Sequence, residues 1–438
     1  MGANQQITEA STTRRSVPAR HVAAVVLGNA LEFYDFITYA FFAVYIGRTF
    51  FPSTSAAASL LASLGTFGVG FVTRPIGGLV IGTLGDRRGR KPAMILSFSL
   101  MGVAITGLAL TPSRAAIGLA APILVVFFRM LQGFALGGEV GPTTAFLLES
   151  APPERRGFYT AFQAWTQDVS TLSAGIVGFA LANLLTEQQL QTFGWRIAFL
   201  LGATIVPIGL MMRRNLPETF HVHEKAAPGH SRWRVHPSVV VIGVLLLASG
   251  TVGTYIDNYM TTFAIATLHM HANIAFAATI VVGLTGLIFD LPTAALSDRI
   301  GRKPVMLIPG IIILVSIVPL FHVILRYRTA ASLLGATALF ASLSNIYTCQ
   351  VIIWLTESLP REVRSGGVAI IYALSIAAFG GTTQYAVTWF IKITGNPLAP
   401  AWYWTLFMAI GVVAMLLARE SSPRKSPQRD TLAVHQSD

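Results

Sequence analysis

Charge and cysteine are both scarce in this chain. Of its 438 residues only 11% are Asp, Glu, Lys or Arg, against about 25% in an ordinary soluble domain. A soluble protein of 47.0 kDa with so little charge could not cover its surface with polar groups. The single cysteine, Cys349, stands in an apolar stretch, which excludes an internal disulfide and a cysteine-based metal site. There is no phosphate-binding loop, so ATP does not drive the protein directly. The nine histidines show no paired spacing on a shared helix face, and His221-x-His223 lies in a polar stretch where a solvated pair is expected. No cofactor, metal or enzyme chemistry is expected.

What the chain has in abundance is apolar sequence. Hydrophobic residues make up 53%, arranged in recurring segments of about 20. An all-α polytopic membrane protein follows, because only a helix or a closed barrel satisfies its backbone in lipid. Residues 1–20 are polar and the first apolar stretch is too long and too acidic for a cleavable signal, so none is expected. The apolar runs give twelve spans, near 22–46, 56–84, 92–111, 117–148, 157–184 and 195–213, then 237–268, 274–297, 303–325, 330–357, 365–391 and 402–418.

The net charge of +12 does not indicate nucleic acid once it is mapped onto these spans. With the amino terminus inside, twenty-three of the 31 Lys and Arg fall on inner segments and six on outer ones. That asymmetry is the positive-inside rule, and it places both termini in the cytoplasm. The two remaining basic residues, Arg74 and Arg129, lie within the bilayer.

The chain is also doubled. GDRRGRKP at 85–92 returns as SDRIGRKP at 297–304, and LESAPPERRG at 148–157 returns as TESLPREVRS at 356–365. Two independent motifs at nearly one offset make two parallel six-helix repeats, a plan that normally holds its site near the midplane between the halves. The organisation read from this is a cytoplasmic segment 1–21, a bundle 22–213, a linker 214–236, a second bundle 237–418 and a tail 419–438.

These motifs resemble the major facilitator superfamily, whose loop signature Asp-Arg-x-Gly-Arg-Lys occurs in both halves. More narrowly the chain is similar to the metabolite:proton symporter family, from GNALEFYDFITYAFFAVYIGRTFFP at 28–52, RPIGGLVIGTLGDRRGRKP at 74–92, RMLQGFALGGEVG at 129–141, ERRGFYTAFQ at 154–163, GWRIAFLLG at 194–202 and AAFGGTTQY at 377–385. Within that family it looks most like the citrate and tricarballylate carriers. The long carboxy-terminal extension of the osmosensing proline and betaine branch is not seen. The resemblance implies a monomeric carrier of small organic acids that is coupled to protons.

Each ionisable residue in hydrocarbon costs about 2.5–3.5 kcal/mol even on a lenient scale and needs a reason. At 1.5 Å per residue, Glu32 lies ~18 Å and Asp35 ~22 Å from the inner rim, on one stripe with Asn29. Glu139 and Asp168 complete the buried acids of the first half. One or more of these four is expected to carry the coupled proton, the others to pair with the buried arginines. Arg129 and Arg74 can clamp a carboxylate through two parallel hydrogen bonds. Asn29, Gln132, Gln163, Gln167, Asn345 and Tyr372 are the polar groups expected around it, and Asp257, Asn258, Asp290, Gln350 and Gln384 add a more neutral set. Pro75 should kink the second span, and Gly133, Gly137 and Gly141 should let another helix approach.

At the inner rim Asp86 and Asp298 can face the positive end of a helix in the opposite half. Arg87, Arg90, Arg299 and Arg302 can pair with Glu149 and Glu357, and Arg364 closes the repeated set. This network is read as a gate. The expected activity is proton symport of a di- or tricarboxylate. A zwitterionic or neutral metabolite, a proton-driven efflux antiporter and a transporter-like receptor remain as alternatives.

Overall fold

The computed structural model describes residues 30, 33, 34, 36–88, 90–137, 144, 147, 148, 151–214, 236–360 and 364–422. Every regular element among them is helical. In chain order the main helices are α1 (Ala43–Phe50), α2 (Ala56–Val72), α3 (Arg74–Arg88), α4 (Arg90–Leu110), α5 (Ala120–Leu136), α6 (Phe162–Leu184) and α7 (Trp195–Arg214). The second half supplies α8 (Pro237–Ala266), α9 (Ala272–Ile300), α10 (Arg302–Tyr327), α11 (Ala330–Ser358), α12 (Arg364–Ser375), α13 (Gly381–Thr394) and α14 (Ala399–Leu417). Pairs α2–α3 and α12–α13 each form one span, so the order fits twelve membrane helices in two six-helix bundles. Seven helical runs among the described residues are long and apolar enough to cross a membrane.

Local chemistry sets the helix ends. Ser55 accepts a hydrogen bond from the Ala58 N–H and opens α2, and a capping box of Thr329 and Ser332 opens α11. Gly395, in the left-handed conformation that suits glycine, closes α13. The expected break beside Pro75 falls at Thr73, which separates α2 from α3 and whose hydroxyl donates to the Met130 carbonyl of α5 at 2.8 Å. Large apolar side chains such as Leu79, Ile123, Val315 and Leu417 remain exposed, a surface suited to lipid and not to water.

Small residues decide which helices touch. On α5 an added Cβ at Gly133 would lie 1.6 Å from the Gly70 carbonyl oxygen, and at Gly137 1.9 Å from that of Arg74. The four-residue glycine spacing is therefore a backbone crossing of α5 over the α2–α3 joint. Between the halves, α6 and α9 run side by side, with Gly175 against Ile280 and Gly283 against Leu172. α2 meets α13 where Gly68 faces Gly381.

Of the residues singled out above, Asn29, Glu32, Asp35, Gly141, Glu139 and Glu149 lie outside the described residues. Asp86 and Arg87 fall in α3 and Arg90 opens α4.

The α5 crossing generates a stability prediction. Gly137→Val must push helix backbones apart, and should cost at least about 1–3 kcal/mol. A thermal melt of the purified protein in detergent checks this; an unchanged melting temperature would contradict the crossing.

Candidate functional site

A cavity lies at the meeting of the two halves. The first half lines it from the first span, α2, α3 and α6, the second from α8, α9, α11 and the α12–α13 span. The sequence-predicted residues that it gathers are Arg74, Gln167, Asp168, Asn345 and Tyr372, with Asp257, Asn258 and Asp290 of the more neutral set. Arg129, Gln132 and Gln163 are buried but do not line it.

Arg74 begins α3, directly after the break at Thr73, so its side chain leaves the helix where the backbone bends. Its guanidinium lies 4.3 Å from the ring centres of both Phe36 and Phe71. These faces hold the cation by its charge while leaving its N–H groups unused. Its Nε and Nη2 have no hydrogen-bond partner among the described residues, although the residue is only 5% exposed. A buried guanidinium with spare donors, in a cavity, suits a planar anion.

Arg129 has a different setting. It is boxed by Phe36, Tyr39 and Phe67 at 4.7, 4.4 and 5.0 Å, and donates to the Gln132 side chain and to the Phe67 carbonyl. Phe36 is thus shared by both arginines, which couples Arg129 mechanically to the cavity wall. Helical spacing explains the Arg129–Gln132 contact, since residues three apart share a face.

The acids are distributed more evenly than the sequence suggested. Asp168 enters from α6, Asp257 from α8 and Asp290 from α9, and all three line the cavity. Across the α6–α9 seam the Asp168 carboxyl packs against Gly286, one helical turn from Asp290. The second half, read above as the more neutral one, brings two of these three carboxyls. Asn345 donates to the Val282 carbonyl at 3.4 Å and to Thr285 at 3.3 Å, which fixes its amide at the wall. Tyr255 of α8, which sequence reasoning did not single out, packs on Phe71 at 5.7 Å and closes the aromatic side of the cavity. Its position in TYIDN, beside Asp257, was the available signal.

The repeated loop motif builds a second, drier cluster at its end of the molecule. Asp298 accepts hydrogen bonds from the Gly157 and Phe158 N–H groups at 2.9 and 3.0 Å. Those N–H groups belong to the helical turn Arg156–Thr160 of the opposite half, so the carboxylate faces a helix start as the motif suggested. Arg302 donates to Asp298 at 2.6 Å and holds Glu357 at 2.8 and 3.0 Å. Arg364 instead donates to the Thr356 and Leu359 carbonyls, terminating α11. Beyond α14, Glu420 accepts from the Arg302 and Lys303 N–H groups at 2.8 and 3.1 Å. Contacts between the halves also exist at the other end, where Asn273 donates to Asn183 at 3.4 Å and Phe42 packs on Phe276 at 4.9 Å.

Two six-helix halves that meet around a polar cavity, with a charged cross-contact at one end, define a secondary transporter, a membrane carrier and not an enzyme. The family model for sugar (and other) transporters matches residues 21–232. A citrate-proton symporter of Klebsiella pneumoniae is 36% identical over 403 residues, covering 89% of each chain. The alpha-ketoglutarate permease of Escherichia coli K12 is 32% identical over 94% of this chain and 95% of its own. A glycine betaine/proline/ectoine/pipecolic acid transporter of Dickeya dadantii is 30% identical, covering 92% and 83%. Among solved structures, a D-xylose-proton symporter matches with a TM-score of 0.73 at 20% identity, covering 92% of this chain and 98% of its own. An inward-open xylose transporter from E. coli matches at 0.74 and 18%, covering 94% and 98%. The chain belongs to the major facilitator superfamily, in its metabolite:proton symporter family.

Arg302 is fully buried and neutralises two carboxylates that are themselves almost fully buried. Arg302→Ala should therefore destabilise by about 3–5 kcal/mol, because it strands buried charge. Asp298→Asn should be milder, since an amide oxygen still accepts one N–H. Melting temperatures of the two variants, compared in one detergent, test the order.

Proposed function

We propose that this protein couples the entry of protons to the uptake of a small organic acid, a di- or tricarboxylate of the citrate type, by alternating access. The observation that carries the reading is Arg74, a buried cation in the cavity between the halves with donors left over among the described residues. Relatives named for citrate and alpha-ketoglutarate support the substrate class. One substrate carboxylate takes the Arg74 fork, while Asn345, Gln167 and Tyr372 supply neutral hydrogen bonds to the rest. Arg129, behind Phe36, positions Arg74 and transmits movement of the α5 crossing to the cavity.

The protein sits in the bacterial cytoplasmic membrane as a monomer, with both termini and the repeated loops inside. Residues 22–213 and 237–418 are the two rocking bundles, joined by 214–236. The Asp298–Gly157 contact then closes the cytoplasmic side, together with Asp86, Arg87, Arg90 and Glu149 of the first motif, and parts when the substrate is released inward. Glu32, Asp35 and Glu139 belong with Asp168 in the set of acids available to the proton.

A zwitterion is the second reading. Its carboxylate would take Arg74 and its cationic nitrogen the carboxyls of Asp168, Asp257 and Asp290 in the same cavity. A relative named for glycine betaine and proline lies at 30% identity. Counterflow and substrate-induced alkalinisation in proteoliposomes, across citrate, tricarballylate, 2-oxoglutarate, shikimate, betaine and proline, separate the two. Carboxylate-dependent proton uptake is expected; its absence for every polycarboxylate, with betaine or proline active, would replace the first reading by the second.

Arg74→Gln should reduce uptake efficiency by at least about 30-fold, from the 2–5 kcal/mol lost when a buried charge pair loses one partner. Arg74→Lys should recover only part, since a point charge cannot form the fork. Arg129→Lys should lower kcat more than it raises KM. Initial-rate uptake against substrate concentration checks all three, and a wild-type KM in Arg74→Gln would remove Arg74 from the site.

A further inference from the structure

We propose that the coupled proton is held between Asp168 and Asp290, one carboxyl from each half, so that the proton is itself the latch between the bundles. The proposal rests on the proton-coupled reading above and assigns a place to the proton. The two side chains come from helices that face one another across the seam and line the same cavity, and the Asp168 carboxyl packs on Gly286, one helical turn from Asp290. Neither oxygen of Asp290 accepts a hydrogen bond from a described donor, although the residue is fully buried. Two neighbouring carboxylates repel when both are ionised. One proton converts the repulsion into a carboxyl–carboxylate hydrogen bond.

The seam is shaped for this contact. An added Cβ at Gly286 would lie 2.2 Å from the Asp168 Oδ2, so the α6 carboxyl occupies the space that any larger residue of α9 would fill. Among the described residues the surroundings supply no cation to replace the proton. Asp257 of α8 adds a third carboxyl nearby, beside Ser344. Besides Arg74, the other described titratable groups facing the cavity are Tyr255 of α8, Cys349 of α11 and Tyr372 of α12. Arg74 lines the same cavity but has Tyr255 and Tyr372 as its polar neighbours, and no described basic side chain pairs with the three carboxyls. Two further buried acceptors in the cavity, Asn258 Oδ1 and Asp257 Oδ1, meet no donor among the described residues. Acceptors without donors, gathered in one place, call for a ligand that brings hydrogen.

The balance is simple. An ionised pair of charge −2 takes up one proton from the outer side and becomes a hydrogen-bonded pair of charge −1. The halves can then remain closed along α6 and α9 while the substrate is carried. Release of that proton inward restores repulsion and drives the seam apart on the return. An empty, ionised pair cannot stay closed, which couples the two fluxes.

The test uses full-length protein in proteoliposomes. Asp168→Asn and Asp290→Asn each install a permanent amide–carboxylate hydrogen bond, so the latch no longer needs a proton. Counterflow of the carboxylate should persist, whereas accumulation driven by a pH gradient should fall to an inside-to-outside ratio of about one. Gly286→Ala should weaken the same coupling by displacing the Asp168 carboxyl. A substrate-free measurement stands beside these: the infrared band of protonated carboxyls at neutral pH should shrink in either Asn variant. Wild-type protein with no carboxylate counterflow would sink the functional reading alone, and the infrared result would still decide the proton site. Normal pH-driven accumulation in Asp290→Asn, loss of counterflow together with uptake, accumulation driven by a sodium gradient without a pH gradient, or an unchanged infrared band in both variants would each overturn the proposal.

Discussion

A charge placed in hydrocarbon must be answered inside the protein, and the position of each answer organises this molecule. Three buried arginines show three solutions. Arg302 is saturated by Asp298, Glu357 and Ser297 and serves cohesion. Arg129 is wrapped by three aromatic rings and bound to Gln132 and a backbone carbonyl. Arg74 is held by ring faces alone among the described residues, in a cavity, with N–H groups to spare. The first is a structural joint, the second a stiffener and the third a receptor for an anion.

The same constraint explains where the halves can separate. Cross-contacts at the loop-motif end depend on one carboxylate capping a helix start, a strong but local arrangement. Along α6 and α9 the contact is close because glycines remove the side chains from one face or the other. Such a seam resists shear but opens as a unit. Carboxyls facing each other within it make that opening sensitive to the charge state of the seam.

Much of the fold was legible because membrane helices announce themselves. The twelve apolar runs agree with the helix ends to within a few residues at most positions, since hydropathy and the need to satisfy every backbone group leave little choice. The glycine row on α5 was legible as a crossing, and its partner proved to be the α2–α3 joint at Gly70 and Arg74. The Asp298 contact was legible because the motif repeats and a helix start attracts a carboxylate. Which of the two buried arginines faces the cavity was not legible, because both are lone cations in apolar runs: Arg74 lines the cavity, whereas Arg129 lies behind its aromatic wall.

By itself the sequence determined that the chain spans a membrane, that it is two related halves, and which few charges stand in the apolar core. Those are properties of composition, run length and repetition along one chain. Only the tertiary structure decided which of those charges face each other. Asp168 and Asp290 are 122 residues apart and belong to different repeats, and no local spacing relates them. Their meeting follows from packing α6 against α9 through Gly286, a contact that exists only when two halves close on one another.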